Sequence, residues 1–247
     1  MPSGWATRSS RVICGKQACW LRTSWRCIRR KPRPSGRGSS LVARKMCVGD
    51  NVRGRLVSIE GIDGCGKSTH TRLLARWLRA RGYKVVVTDE PTNGPIGRII
   101  KRILRGELKV PVAAEALLFA TDRLHHLDKL ILPAMQTGKI VITERYTYSS
   151  FAYQSARGLN LRWIARINEK ALKPDLAILI DVPADVALRR IKGARELDTF
   201  ERDLKLQRKV RMNYLSVCRK GGAKILNGNR PAKEVQAKLI KLVEAVL

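Results

Sequence analysis

The residues from Gly61 to Thr69 combine glycine, lysine and serine at a spacing that suits phosphate binding. Glycines let the backbone turn its N–H groups towards an anion, and a following helix directs its positive end at the same phosphates. Lys67 can then reach the β- and γ-phosphates of a nucleotide, and the Ser68 hydroxyl can ligate Mg²⁺.

A β-branched run precedes this stretch and an amphipathic run follows it, which is the context that a P-loop requires. A Gly-rich turn with a solvated lysine is the alternative, but it leaves the Gly-Lys-Ser order unexplained. The pattern therefore predicts binding of ATP or GTP phosphates. The predicted nucleotide-binding residues are Gly61, Ile62, Asp63, Gly64, Cys65, Gly66, Lys67, Ser68 and Thr69.

Runs dense in Val, Ile and Leu alternate with helical patterns after the first 54 residues. Strands covered on both faces have this composition, and helical crossovers make a sheet parallel. We therefore predict an α/β P-loop fold, with a five-stranded parallel sheet flanked by helices on both faces. The predicted strands are Leu56–Glu60, Lys84–Thr88, Ile140–Thr143, Leu176–Asp181 and Lys224–Leu226. The predicted helices cover residues 67–81, 96–105, 112–136, 147–156, 161–171, 183–191, 201–218 and 231–246.

Residues 1–49 differ in composition from the rest, with 12 Lys and Arg and no Asp or Glu. Because this segment lacks periodicity and carries a Pro-, Gly- and Ser-rich stretch, we expect a basic, disordered extension before a folded domain at 50–247. An organellar transit peptide, a nucleic-acid-binding arm and translation from an upstream start codon are three explanations. Three tryptophans in the segment favour the last, with initiation near Met46.

The formal net charge of the 247-residue chain is +30. A basic domain suits binding of multiply charged phosphates and would also suit nucleic acid. A solvated basic surface is the simpler explanation, so we expect no nucleic-acid partner for the folded domain. The chain has no run of about 18 apolar residues, so we expect no membrane span. The six cysteines lack metal-ligand spacing, which favours reduced thiols in a cytoplasmic protein and no cysteine metal site.

Polar motifs follow the second and third predicted strands, at the sheet edge where doubly wound folds bind ligands. Glu90 and a proline come after the second strand, and Glu144 and Arg145 close the third. Phe119 and Arg123 are four residues apart on one helix face, so a ring and a cation could together hold a pyrimidine. With the P-loop, these motifs resemble the thymidylate kinase family in order and spacing over residues 55–247. The amino-acid sequences of these motifs are most similar to those of the archaeal branch of the family.

The resemblance implies roles in an acceptor site for dTMP. In that family, the residue matching Phe119 stacks on thymine, and the one matching Arg123 bonds its exocyclic oxygen. Arg145 would grip the dTMP phosphate, which suits a planar guanidinium, and Glu144 would help organise the Mg²⁺ and phosphate site. Asp63 would contact the deoxyribose 3′-hydroxyl or the acceptor phosphate region. The residues expected to line the base and sugar pocket are Tyr148, Ser149, Ser150 and Gln154.

A basic segment late in the chain resembles the lid of nucleoside monophosphate kinases, which closes over ATP and excludes water. As a charge run, the segment could also be a solvated helix end. Some family members carry a catalytic arginine inside the P-loop, but Gly64 and Cys65 stand there in this chain. We therefore expect the lid to supply the catalytic arginine, with Arg195 in this role. Arg189 or Arg190 is expected to pack against adenine.

One position departs from the family pattern, and two histidines stand outside its motifs. Bacterial relatives have an arginine before the Glu-Pro pair where this chain has Asp89, and Arg98 is the candidate substitute. His125 and His126 show no catalytic partner in the sequence, so we interpret them as ordinary helix residues.

The resemblance implies ATP- and Mg²⁺-dependent phosphorylation of dTMP to dTDP by direct in-line transfer, a step towards dTTP, in a homodimer. A kinase of the same fold for another acceptor is one alternative. A P-loop ATPase or GTPase that binds nucleic acid is another, although no Asn-Lys-x-Asp guanine motif follows the P-loop. The expected catalytic residues are Asp63, Lys67, Glu144, Arg145 and Arg195.

Overall fold

The structure, a computed structural model, describes residues 54–192 and 203–247. The strands in these ranges are β1 (Arg55–Glu60), β2 (Val85–Asp89), β3 (Ile140–Glu144), β4 (Leu176–Asp181) and β5 (Lys224–Asn227). All neighbours pair in parallel, in the order β2-β3-β1-β4-β5, so the predicted fold class is confirmed. The helices are α1 (Lys67–Arg79), α2 (Pro95–Leu104), α3 (Val112–His126), α4 (Leu132–Gln136), α5 (Thr147–Ala156), α6 (Leu161–Ile167), α7 (Ala184–Lys192), α8 (Leu204–Gly221) and α9 (Ala232–Glu244).

The central strand β1 is buried on both faces, as its β-branched composition indicates. Val57 and Ile59 belong to the larger core, which includes Leu74 of α1. Leu56 alternates to the opposite face and packs in a second core with Ile131. Helices therefore cover both faces of the sheet, as in a doubly wound fold.

The predicted helix 112–136 is interrupted in the structure. Helix α3 ends at His126, a π-helical turn covers Leu127–Ile131, and α4 continues the path. Pro133 has no N–H to donate to the preceding turn, which explains a wider turn just before it. The hydrophobic pattern predicted the extent of this segment but not the break.

Helix α8 begins and ends at recognisable caps. The Asp203 carboxylate accepts a hydrogen bond from the Leu206 N–H at 2.9 Å, which satisfies a donor of the first turn. Gly222 has φ +80° and ends the helix, later than the predicted end at residue 218. Helix α6 is shorter than its predicted range of 161–171 and ends at Ile167.

The strand register brings the carboxyl ends of three strands to one edge. Glu144, the last residue of β3, lies opposite Ile59 of β1 and Asp89 of β2. The loops that leave this edge carry the polar motifs. In residues 54–192 and 203–247, no helix is both long and apolar enough to cross a membrane.

Candidate active site

The P-loop connects β1 to α1 and depends on glycine for its path. Gly64 has φ +76°, and a Cβ there would lie 2.2 Å from the carbonyl oxygen of Ala187 in α7. Gly66 has φ +99° and caps α1, which begins at Lys67. An L side chain is disfavoured at such φ values, so the loop conformation requires glycine at these positions.

The Lys67 ammonium is folded onto the P-loop itself. Its Nζ donates to the carbonyl oxygens of Gly61 at 3.1 Å and Ile62 at 3.0 Å, and lies 3.3 Å from Asp63 Oδ1. The residue is only 7% exposed, so the charge sits at the start of α1 within the cavity. This is the position from which a P-loop lysine reaches nucleotide phosphates.

The Ser68 hydroxyl donates to Glu144 Oε2 at 2.7 Å, joining the start of α1 to the end of β3. Among the described residues, no group of three or more His, Cys, Asp or Glu is arranged to hold a metal ion. Mg²⁺ in nucleotide sites needs fewer protein ligands, because phosphates and water complete its oxygen shell. The Ser68 hydroxyl and the Glu144 carboxylate are therefore suitable ligands for the Mg²⁺ ion that the family resemblance implies.

Arg145 follows β3 in a left-handed conformation, with φ +64°. Its Nη2 lies 2.5 Å from Asp63 Oδ1 and 3.3 Å from the Tyr153 hydroxyl, and its guanidinium carbon lies 5.0 Å from the Tyr153 ring centroid. Such a backbone conformation in a non-glycine residue occurs at functional sites, where neighbouring contacts enforce it. These contacts hold the planar guanidinium of Arg145 at the sheet edge beside the P-loop.

The same contacts set the charge state of Asp63. Burial alone would raise the pKa of this carboxyl, but the Arg145 guanidinium and the Lys67 ammonium hold its pKa well below the usual range. The carboxylate is therefore ionised at every physiological pH. The Asp63 carboxylate thus orients both the Arg145 guanidinium and the Lys67 ammonium.

Arg123 of α3 is 1% exposed and is held by several partners. Its Nη2 lies 2.7 Å from Glu90 Oε2, and its Nη1 donates to Ser150 Oγ at 3.1 Å and to Asn168 Oδ1. Its Nε is buried and has no hydrogen-bond partner in the described part of the chain. A buried charge requires such partners, and they fix the guanidinium on the wall of the cavity.

His126 supports Glu90 from behind, which the sequence interpretation missed. Its Nδ1 lies 3.2 Å from Glu90 Oε1 and its Nε2 lies 2.8 Å from Thr88 Oγ1. Because an ionised carboxylate only accepts, Nδ1 donates to Glu90. The prediction that His126 is an ordinary helix residue is therefore wrong: it is buried and orients the acid that pairs with Arg123.

Glu60 is a second buried acid that the motifs did not reveal. It ends β1 with no exposed surface, and its Oε2 accepts from Ser149 Oγ at 2.7 Å. Burial raises the pKa of this carboxyl. Ser149 Oγ is also 2.6 Å from the Tyr214 hydroxyl, so Ser149 is anchored beneath the cavity. The only sequence signal was a charged residue at the end of a buried strand.

A cavity of about 640 Å³ opens at the carboxyl edge of the sheet and contacts most of the predicted site. Gln154 lines it, with Oε1 buried and lacking a hydrogen-bond partner among the described residues. The predicted site residues that line this cavity are Asp63, Gly64, Gly66, Lys67, Ser68, Thr69, Phe119, Arg123, Glu144, Arg145, Ser149, Ser150, Gln154 and Arg190. The predicted residues that do not line it are Gly61, Ile62, Cys65, Tyr148 and Arg189.

Three predicted residues lie elsewhere for identifiable reasons. The Tyr148 hydroxyl donates to the Gly221 carbonyl at 2.9 Å, so this ring packs between α5 and α8 instead of facing the cavity. Arg189 is exposed and lies 3.5 Å from Asp185. Arg98 is exposed and donates to the Asn93 carbonyl at 3.1 Å, so it is not placed to grip a phosphate in the cavity.

Arg190 differs from its neighbour because its guanidinium lies 3.4 Å from the Gly228 carbonyl, in the loop after β5. It lines the cavity, whereas Arg189 does not. Arg195, the expected catalytic residue of the lid, lies outside the described residues, as does the extension 1–49.

Comparison with known proteins identifies the family. The family model for thymidylate kinase matches residues 59–239. A probable thymidylate kinase of Pyrococcus horikoshii is 45% identical over 199 residues, which cover 78% of this chain and 97% of the relative. That of Thermococcus kodakarensis is 45% identical over 200 residues (77% and 98%), and that of Archaeoglobus fulgidus 39% over 193 residues (78% and 96%). The predicted resemblance is confirmed, and the chain belongs to the thymidylate kinase family.

Proposed function

We propose that this protein transfers the γ-phosphoryl group of ATP to dTMP and releases ADP and dTDP. The observation that carries the proposal is a single cavity with two chemically distinct ends. Lys67 and Ser68 line the P-loop end, whereas Phe119 and Arg123 line the other. A nucleotide hydrolase needs only the first end, while a kinase needs an acceptor beside the donor.

The donor end supplies positive charge to the phosphates. Lys67 Nζ exchanges its loop carbonyl partners for phosphate oxygens, and the N–H groups at the start of α1 point at the same anion. Ser68 and Glu144 are the residues that would hold Mg²⁺, whose charge offsets that of the β- and γ-phosphate oxygens.

The acceptor end binds the base and the phosphate of dTMP. The half-buried Phe119 ring offers a stacking face. Arg123 and Gln154 carry buried polar atoms that lack hydrogen-bond partners within the described part of the chain, and a pyrimidine could satisfy them. Arg145 faces the dTMP phosphate. An oxygen of that phosphate attacks the γ-phosphorus, the bond to the β–γ bridging oxygen breaks, and ADP leaves with that electron pair.

Two further parts belong to the proposal. Arg195 enters from the lid and stabilises the charge of the transferring group, while Arg190 packs beside adenine. The active form is a homodimer, as the family resemblance implies. Equilibrium sedimentation of the full chain tests the dimer, and loss of kcat in Arg195→Ala with little change in KM for dTMP tests the lid arginine.

The function itself is tested by ADP release from the full chain with Mg-ATP and, in parallel, dTMP, dUMP, dCMP, dGMP or thymidine. We expect turnover that depends on the acceptor and is fastest with dTMP. Faster turnover with another nucleotide would assign a different acceptor to the Phe119 pocket. ADP release that is independent of the acceptor would overturn the kinase assignment.

A further inference from the structure

Two helices face each other across the acceptor end of the cavity. Helix α3 presents Glu115, Phe119 and Arg123, which are spaced four residues apart and share one face. Helix α5 presents Ser150 and Gln154 to the same space. The region between the helices is therefore a slot, with an aromatic ring on one side and an amide on the other.

The slot is closed at both ends by direct contacts between the two sides. At one end, Arg123 Nη1 donates to Ser150 Oγ at 3.1 Å. At the other end, Arg157, which follows α5, donates through Nη1 to Glu115 Oε1 at 2.5 Å. Glu115 and Arg123 are eight residues apart on α3, a distance of about 12 Å along a helix. Phe119 lies midway between these two contacts.

The Glu115–Arg157 contact is buried enough to act as a rigid wall. The Glu115 side chain is 5% exposed and that of Arg157 is 20% exposed, and both residues line the cavity. Removing one partner of such a pair leaves an uncompensated buried charge, so the two side chains stay together. The phosphate-binding residues Lys67 and Arg145 play no part in this contact.

We propose that the Glu115–Arg157 pair determines acceptor specificity by closing the base slot at a length that fits a pyrimidine and excludes a purine. This inference rests on the proposed function, because it concerns which base enters the same site. Its physical basis is steric. A purine adds a second ring, and the ion pair occupies the space that this ring would need beyond Phe119.

The test compares two double variants of the full chain. Glu115→Ala with Arg157→Ala empties the wall, whereas Glu115→Met with Arg157→Met removes the charges but keeps the volume. We expect the alanine pair to lower the ratio of kcat/KM for dTMP to that for dGMP by at least about tenfold, since a few methylenes of pocket space change discrimination by this much. The methionine pair keeps that ratio within about threefold of wild type.

Equilibrium dialysis of dGMP without ATP gives a second readout, because the alanine pair binds it more tightly if the wall is open. A matched control is Arg211→Ala, which breaks an ion pair with Asp181 at 2.7 Å outside the cavity. We expect this control to lower the melting temperature but to keep the specificity ratio. If the alanine pair does not fold, Glu115→Gln with Arg157→Ala opens the wall without a buried unpaired charge.

The proposal would be overturned if the alanine pair left the ratio of kcat/KM for dTMP to that for dGMP unchanged. It would also be overturned if the methionine pair lowered this ratio as much as the alanine pair does. Either result leaves the proposed function intact when the wild-type chain phosphorylates dTMP. A wild-type chain that does not phosphorylate dTMP overturns the proposed function and this inference together.

Discussion

Charged side chains in this site are placed by other charged side chains in a hierarchy of contacts. Arg123 faces the cavity, Glu90 pairs with it at 2.7 Å, and His126 holds Glu90 at 3.2 Å. His126 restricts the orientation of the Glu90 carboxylate, and Glu90 restricts that of the Arg123 guanidinium. The guanidinium is therefore oriented before a ligand binds. Such preorganisation lowers the entropic cost of binding a planar base.

His126→Ala tests this hierarchy at its outermost layer. Losing a hydrogen bond to a charged group costs roughly 1.5–3 kcal/mol, and 1.4 kcal/mol corresponds to tenfold in affinity. We expect KM for dTMP to rise about tenfold while KM for ATP changes little. His125→Ala is the matched control, since His125 is the partly exposed neighbour. Equal effects of the two substitutions on KM for dTMP would contradict the hierarchy.

Asp63 predicts a pH dependence of stability. Since the pKa of Asp63 is depressed in the folded state by Arg145 and Lys67, the ionised form stabilises the fold above its unfolded pKa of about 3.9. This contribution is lost as pH falls through the folded-state pKa. We expect Asp63→Asn to lower the free energy of unfolding at pH 7, with a smaller difference from wild type at pH 3.

Chemical denaturation across this pH range measures the difference. Asp128→Asn is the control, because its pair with Lys129 is exposed and contributes little at any pH. A difference for Asp63→Asn that is the same at pH 7 and pH 3 would show that the carboxylate charge does not stabilise the fold.

At the scale of elements, the P-loop is shaped by what packs against it as much as by its own glycines. A Cβ at Gly64 would lie 2.2 Å from the carbonyl oxygen of Ala187 in α7. Any side chain at this position must displace that helix. The P-loop and α7 are therefore linked through one close approach of their backbones.

Gly64→Ala and Gly82→Ala separate this contact from backbone conformation. Both glycines have positive φ, +76° and +84°, but a Cβ at Gly82 meets nothing within 4 Å. We expect Gly82→Ala to cost about 1–2 kcal/mol of stability through the left-handed conformation alone. Gly64→Ala should cost more and weaken ATP binding at least about tenfold, since alanine Cβ and a backbone oxygen cannot share this space.

Thermal unfolding and ATP titration of the two variants provide the comparison. Similar melting temperatures with unchanged ATP affinity in both would mean that α7 accommodates the methyl group. The close approach of the P-loop to α7 would then have no effect on ATP binding.

At the scale of the whole molecule, the parallel sheet is the device that assembles the site. The site residues come from sequence positions as distant as Asp63 and Arg190, yet they meet because parallel strands end at one edge. The basic composition suits a protein whose ligands are phosphates. Because residues 54–192 and 203–247 form the sheet and line the cavity that the structure describes, we expect the segment 1–49 to be dispensable for this geometry.

Removal of residues 1–45 tests that independence. We expect the shortened chain, starting at Met46, to keep kcat and KM for dTMP within about twofold of the full chain, since residues 54–192 and 203–247 supply the cavity lining that the structure describes. Its melting temperature should also be unchanged. A large loss of dTMP turnover at equal stability would assign the basic segment a part in the reaction.

The sequence by itself determined the P-loop, all five strands and the helices, with boundaries within a few residues, except that it did not predict the break in the helix expected at 112–136. These features follow from local rules, since glycine spacing, β-branched runs and helical periodicity act over a few neighbours. The P-loop pattern assigned Ser68 to a Mg²⁺ site and the resemblance assigned Glu144 to the same site, but neither predicted the hydrogen bond between them. The four-residue spacing of Phe119 and Arg123 predicted that they share one helix face, and the resemblance added their roles at thymine.

Only the tertiary structure decided which side chains turn into the cavity and which buried partners hold them. Tyr148 and Ser149 are adjacent in sequence, yet one packs against α8 and the other lines the cavity, because successive helix residues point about 100° apart. His126 and Glu90 lie 36 positions apart, and no local pattern links them. Contacts of this kind depend on how whole helices pack on the sheet, which periodicity does not encode.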